Sequence, residues 1–242
     1  KMATGHFARL GEQDGKTTLL RAADENKDQT YFLYMVNHQA LSQAMFPVGG
    51  LTKAEIREIA RENDLPVSEK KDSTGVCFIG ERNFKQFLGQ YLPAQPGEMR
   101  TVDGKIVGRH DGLMYYTLGQ RRGLGIPAGQ RLFVSALDAA RDRVVLSDGT
   151  DLMADVVWCS ALNLLADLAD GAAVAVRLRH AKDETPATFH RTADGARLEL
   201  HTPARAPTPG QLAVFYDGDT VLGSGWIERC RRVGQEGGDA WS

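Results

Sequence analysis

Thr208-Pro209-Gly210-Gln211-Leu212-Ala213-Val214-Phe215-Tyr216-Asp217-Gly218-Asp219-Thr220-Val221-Leu222 carries the reading that decides the fold. A Pro-Gly turn opens a β-branched and aromatic run, Asp-Gly closes it, and a second apolar run follows. That is the signature of an antiparallel hairpin. Upstream the pattern repeats, with strand candidates at Val156–Ser160, Ala173–Arg179, Ala187–Arg191 and Arg197–His201, and a turn at Asp194-Gly195. With Gln211–Tyr216 and Thr220–Ile227 these make six short strands, a count that suggests a small closed barrel over residues 149–232.

Working toward the N-terminus, residues 83–148 also read as β-rich. Glu98–Val102 and Lys105–Val107 flank the hairpin signal Asp103-Gly104, and Arg131–Leu137 with Arg143–Leu146 form a further antiparallel pair. A helix over Asn83–Leu92 precedes them, with Phe84, Phe87, Leu88 and Tyr91 on a stripe read as core. Residues 1–82 are mixed α/β. Thr17–Arg21 is a short strand, Asp28 is placed to cap a helix carrying Phe32 to Tyr34, and Thr52-Lys53-Ala54-Glu55 is a capping box. Lys1 to His6 reads as a strand end running into a functional loop, as if the chain were cut there. The tail 233–242 is Gly- and charge-rich and is expected to be disordered.

The 242 residues are 42% hydrophobic and 25% charged, with net charge −2. Residues 1–150 carry 20 Lys/Arg against 18 Asp/Glu; residues 151–242 carry 9 against 13. Nucleic-acid contact would therefore depend on local patches rather than a global field. No apolar run approaches the ~18 residues of a membrane span. The three cysteines, Cys77, Cys159 and Cys230, form neither a disulfide framework nor a metal pair, which favours a reducing, cytoplasmic setting.

Cys77 lies in Lys71-Asp72-Ser73-Thr74-Gly75-Val76-Cys77-Phe78-Ile79-Gly80, a polar turn opening an apolar run, with Lys70 and Lys71 upstream. Positive charge raises the thiolate fraction of a free cysteine. Read alone, it fits a structural half-buried thiol as well. Cys159 and Cys230 are assigned to packing or surface. Three further stretches admit either a plain turn or a binding role: Ala3-Thr4-Gly5-His6, Lys27-Asp28-Gln29, and Gly119-Gln120-Arg121-Arg122-Gly123, where two arginines in a Gly-rich loop can grip phosphate. Arg177 and Arg179 fall on one face of their strand candidate, and with Gln211 they could form an RNA-contacting rim.

In this order these segments resemble the tRNA-specific 2-thiouridylase family. The resemblance adds Tyr31-Phe32-Leu33, Cys77-Phe78-Ile79-Gly80-Glu81-Arg82, Tyr116-Thr117-Leu118-Gly119-Gln120-Arg121 and Ala213-Val214-Phe215-Tyr216, and covers nearly the whole chain. It implies the C-terminal part of a Rossmann-like adenine-nucleotide-hydrolase domain at 1–82, a β-rich tRNA-contacting domain at 83–148 and a C-terminal barrel. It implies ATP with Mg as cofactor, tRNA and a sulfur-relay protein as partners, no membrane, and a monomer. Cys77 matches the persulfide-bearing cysteine and Gly5 the glycine whose backbone contacts ATP. His6, Lys27, Asp28, Gln29, Arg177, Leu178 and Gln211 match tRNA-contacting positions. Leu178 departs from the family, which often has an aromatic there. The family's Ser-Gly-Gly-x-Asp-Ser phosphate loop and its second, earlier cysteine do not occur in this chain, so a truncated form lacking full ATP-dependent activity is expected. The competing readings are a non-catalytic RNA-binding module with a structural Cys77, and a thiol redox protein.

Overall fold

The computed structural model describes residues 1–66, 68–69, 87–126, 131–180 and 183–234. The chain forms two compact units, one from Lys1–Lys70 with Ala154–Ser242 and the other from Lys71–Met153.

The first unit is built on a barrel. Its strands are β9 (Met153–Leu164), β10 (Ala172–Arg177), β11 (Thr185–Thr192), β12 (Gly195–Arg205), β13 (Leu212–Asp217) and β14 (Thr220–Arg232), preceded in the chain by β1 (Met2–Ala3), β2 (Arg9–Gln13), β3 (Lys16–Leu20) and β4 (Ala44–Met45). The sheet order is β13-β10-β11-β12-β9-β14-β3-β2, and β13 also pairs β14, closing the six expected strands into a ring. Closure leaves the barrel strands no free edge among themselves. Period-two burial drives it: Ala187 and Phe189 of β11 and Ala196, Leu198 and Leu200 of β12 point inward while their neighbours face out.

β13 departs from alternation, since Leu212 to Tyr216 are all buried. Ala213 and Phe215 alternate with residues of the opposite face, and Phe215 meets Phe189 edge-on at 5.8 Å. Leu212, Val214 and Tyr216 join a second core with Ala8, Leu19, Tyr31, Leu33 and Leu41. The N-terminal segment thus covers one outer wall of the barrel. β2 and β3 extend the sheet through Leu20 opposite Thr220. Their hairpin turns at Asp14-Gly15, both at positive φ, a two-residue signal that the sequence reading did not use. Asn163 and Ser224 both donate to the Tyr34 carbonyl, at 2.7 and 2.9 Å, and fix the segment further.

The capping box is present. Glu55 N–H donates to Thr52 Oγ1 and Thr52 N–H to the Glu55 carboxylate, starting helix α2 (Lys53–Glu62), which follows the short α1 (His38–Gln43). Asp28 does not cap as expected. Residues Thr30–Leu33 form a 3-10 turn whose cap position is Gln29, without a side-chain cap bond.

The second unit holds β5 (Gly97–Thr101), β6 (Ile106–His110), β7 (Phe133–Asp138) and β8 (Arg143–Ser147) in the order β6-β5-β8-β7. Both expected hairpins form, and β5 and β8 add a parallel contact between them. Met99, Val134, Val144 and Leu146 make its core. Asp151 accepts hydrogen bonds from the Ser135 and Ser147 hydroxyls. Much of the expected helix at Asn83–Leu92 lies outside the described residues. Within them Tyr91 is 69% exposed, so it faces solvent rather than the core.

Cys159 and Cys230 are buried free thiols of the barrel. Burial pushes Cys230 up to about 12 and also raises Cys159; burial likewise lifts the Tyr31 hydroxyl to about 12. A raised folded pKa means the folded chain holds its protons longer than the unfolded chain. Stability is then fully present below the ordinary values, near ~8.5 for a thiol and ~10 for tyrosine, and is lost as pH rises toward 12. The expected slope is about 1.4 kcal/mol per pH unit for each group once its unfolded form ionises. Urea midpoints should fall between pH 8 and 11; constant midpoints would contradict this account.

Candidate nucleic-acid interface

The 3-10 turn and the end of β10 bring together residues far apart in sequence. Asp28 Oδ1 accepts from the Ala22 N–H at 3.1 Å, and Oδ2 accepts from Thr30 Oγ1 at 2.8 Å and from Arg177 Nη1 at 2.9 Å. Arg177 donates through Nε to Glu184 Oε1 at 3.0 Å, and its Nη2 stands 2.9 Å from the same oxygen. Arg21 Nη1 reaches that oxygen at 2.6 Å. Beneath both guanidinium groups lies the Tyr216 ring, 3.9 Å from Arg21 and 5.0 Å from Arg177. The Tyr216 hydroxyl is 3.2 Å from Thr30 Oγ1.

This cluster is nearly dry: the Asp28 side chain is 2% exposed and that of Arg177 12%. Burial by itself lowers the Arg177 pKa, but Tyr216, Asp28 and Glu184 outweigh it and hold the guanidinium above its ordinary value. Burial also raises the Tyr216 hydroxyl. The two arginines are balanced by two carboxylates, so the cluster offers little net charge to an approaching phosphate. Its evident work is mechanical, tying residues 21–30 to the barrel. Neither Arg21, Glu184 nor Tyr216 was singled out from the sequence. Tyr216 had a usable signal, as the polar-tipped end of an otherwise apolar strand.

Gln29 adjoins the cluster and clamps Phe7. Its Oε1 accepts from Phe7 N–H and its own N–H donates to the Phe7 carbonyl, each at 2.9 Å. The Thr4–Ala8 loop is thereby set beside the turn. His6 Nδ1 is 2.9 Å from Thr4 Oγ1, and its ring meets Phe46 edge-on at 6.3 Å. Gly49 packs so closely beneath that an added Cβ would sit 1.6 Å from the Ala8 carbonyl oxygen. Gly5 follows β1, which runs parallel to β4, and is exposed with open space around it. Lys27 is half-buried at the head of the turn.

Gln211 closes the turn before β13. Its N–H donates to Thr208 and its carbonyl accepts from Ile227 N–H. The next residue, Leu212, receives the Tyr31 hydroxyl at 3.2 Å. The run 27–29, the 4–8 loop, Arg177 and the Gln211 turn are therefore connected through direct contacts or immediate chain neighbours. Leu178 is buried at 7% exposure, so only its backbone is available outward. β10 ends at Arg177 rather than Arg179, so the two arginines do not share a strand face. Arg179 is exposed and donates to the Arg205 carbonyl at 2.9 Å.

In the second unit, Gly119, Gly123 and Gly125 all take positive φ. Gln120 bridges the Thr117 N–H and the Arg122 carbonyl, leaving Arg121 and Arg122 exposed on the loop. Cys77 and its neighbours lie outside the described residues. Among the described residues no group of His, Cys, Asp or Glu is arranged to hold a metal ion, and no helix is long and apolar enough to cross a membrane.

An α/β segment packed on a six-stranded barrel, with a separate small β-rich unit, is the architecture of a multidomain protein. Family models agree: residues 1–81 match a tRNA methyl transferase HUP domain, 85–148 a tRNA methyl transferase PRC-barrel domain, and 152–227 an aminomethyltransferase beta-barrel domain. A protein named tRNA-specific 2-thiouridylase MnmA from Exiguobacterium sibiricum is 48% identical over 242 residues, 97% of this chain and 64% of the relative. Proteins of the same name from Listeria monocytogenes and Pseudomonas fluorescens are 45% and 44% identical, with 97% and 94% of this chain and 65% and 63% of the relatives covered. The chain belongs to the tRNA-specific 2-thiouridylase family. It spans slightly under two thirds of the length of these curated relatives.

Proposed function

We propose that this chain is the tRNA-holding and sulfur-carrying part of an enzyme that places sulfur on the wobble uridine of tRNA in an ATP-dependent reaction. The observation that carries the reading is the match to relatives bearing the 2-thiouridylase name along 94–97% of the chain. Its local support is the contact network that joins His6, Lys27 to Gln29, Arg177 and the Gln211 turn into one surface. The same relatives favour sulfur transfer over the methyl transfer named in the family-model descriptions. The enzyme would work in the cytoplasm, as a monomer served by a sulfur-relay protein.

ATP fits one edge of this chain. Gly5 lies at the carboxyl end of a parallel strand, where open α/β sheets take nucleotides, and its missing Cβ leaves the backbone approachable. ATP, with Mg, supplies the adenylyl group that makes the uridine 2-oxygen a leaving group. Cys77 carries a persulfide whose outer sulfur bonds to carbon 2 as that oxygen departs. A second cysteine, which the family holds upstream of the matched region, attacks the Cys77 sulfur. The S–S bond to the RNA breaks, its electron pair stays with the thiocarbonyl sulfur, and a Cys77 disulfide remains for reduction by an external thiol. Holding the flipped base against the persulfide lowers the barrier by part of the ~7–11 kcal/mol available to oriented reactions.

The direct test is a filter-binding titration of this chain with tRNA across salt concentrations. Binding should be weak, with log K falling against log salt by about 0.7–0.9 for each phosphate neutralised. A salt-independent affinity, or none, would remove the reading.

A further inference from the structure

We infer that Phe32 and His180 form a platform on which an unpaired nucleotide of the bound tRNA stacks, an inference that rests on the tRNA-binding reading above. Phe32 is 53% exposed although Tyr31 and Leu33, on either side, are buried at 8% each. The 3-10 turn sinks its two neighbours into the core beside β13 and turns Phe32 outward on a rigid base. The exposed His180 ring lies against it, with centroids 4.5 Å apart and planes 36° from each other. Tyr31 closes the group edge-on, 5.8 Å from Phe32 and 6.0 Å from His180.

Three rings from two segments about 150 positions apart thus meet at the surface, next to the Gln211 turn that holds the Tyr31 hydroxyl. The adjoining charge suits RNA. Arg177 and Arg21 are neutralised by Asp28 and Glu184, whereas Arg179, next to His180 in the chain, has only the Arg205 carbonyl as a partner among the described residues. An aromatic face beside an uncompensated guanidinium is the pairing by which single-stranded nucleic acid is held: bases stack on rings while the cation takes a phosphate. Leu178 cannot serve as the ring, being buried. The platform supplies that function from His180 and from across the contact.

Fluorescent tRNA transcript is titrated with the parent chain and with Phe32→Ala, Phe32→Leu, Phe32→Trp and Arg179→Ala, at several salt concentrations, alongside melting temperatures. Loss of one stacked base weakens binding about 5- to 150-fold. Phe32→Ala and Phe32→Leu should both show this with an unchanged salt slope, while Phe32→Trp binds like the parent. Arg179→Ala should reduce the slope by about 0.7–0.9. A merely structural Phe32 would be rescued by Leu in binding as well as in melting temperature, and that result overturns the inference. So does parent-like binding by Phe32→Ala. A parent chain that does not bind tRNA removes the tRNA reading and this inference together.

Discussion

Cys77→Ser in the full-length enzyme should abolish 2-thiouridine formation, if the proposed function holds, while tRNA affinity stays within about twofold of the parent, because a hydroxyl replaces the thiol with little change of size and carries no persulfide sulfur. The expectation follows from the position of Cys77 between the Lys71-Asp72-Ser73 run and Phe78-Ile79-Gly80, inside the segment matched by the HUP-domain model. Serine keeps the local polarity but cannot donate sulfur, so no partial activity is expected. Mass spectrometry of nucleosides from tRNA treated with the variant is the measurement. Normal thiouridine would remove Cys77 from the reaction; lost binding alongside lost activity would make it a structural residue.

Arg177→Met lowers the stability of the barrel unit by about 3 kcal/mol, within the 3–5 kcal/mol range for removing one partner of a buried ion pair. Asp28, at 2% exposure, would be left with the Thr30 hydroxyl and the Ala22 amide, and Glu184 would lose two of its guanidinium contacts. The melting temperature should fall by about 6–12 °C for a unit of this size. Combining Arg177→Met with Asp28→Asn should restore much of the loss, since the uncompensated carboxylate charge goes as well while Glu184 keeps its pairing with Arg21. A melting temperature within 2 °C of the parent for Arg177→Met would show that the cluster bears no weight. Hydrogen exchange gives a second view: Phe7 and Ala22 amides, held by Gln29 and Asp28, should exchange faster in the single variant.

This pairing changes how two of the sequence-matched residues are understood. Asp28 and Arg177 each match a tRNA-contacting position, but the geometry gives both a job inside the protein. Arg177 donates two of its five guanidinium N–H groups, to Asp28 and Glu184, and its Nη2 also stands 2.9 Å from Glu184. Under the proposed tRNA-binding reading, their part is to hold Gln29, Phe32 and the Gln211 turn in register. Asp28→Ala should accordingly weaken tRNA binding and stability together.

What could be read in the chain alone was whatever depends on near neighbours. The hairpins at Asp103-Gly104 and Asp217-Gly218 and the Thr52–Glu55 capping box are made by residues within a few positions of one another, and all are present. Six barrel strands were legible because period-two alternation is a local property. The family match worked for a related reason, since short ordered motifs survive in sequence as they stand.

Tertiary structure alone decided how these pieces meet. No local rule places β9 between β12 and β14, extends the sheet through Leu20 opposite Thr220, or sets Arg177 on Asp28 across 149 positions. Burying β13 on both faces demands a cover, which the N-terminal segment largely supplies. A side chain such as Asp28 reads as a helix cap until its partners are known, and nothing local marks Phe32 as exposed between two buried neighbours. Burial and ion pairing are properties of distance in space, and distance along the chain carries no record of them.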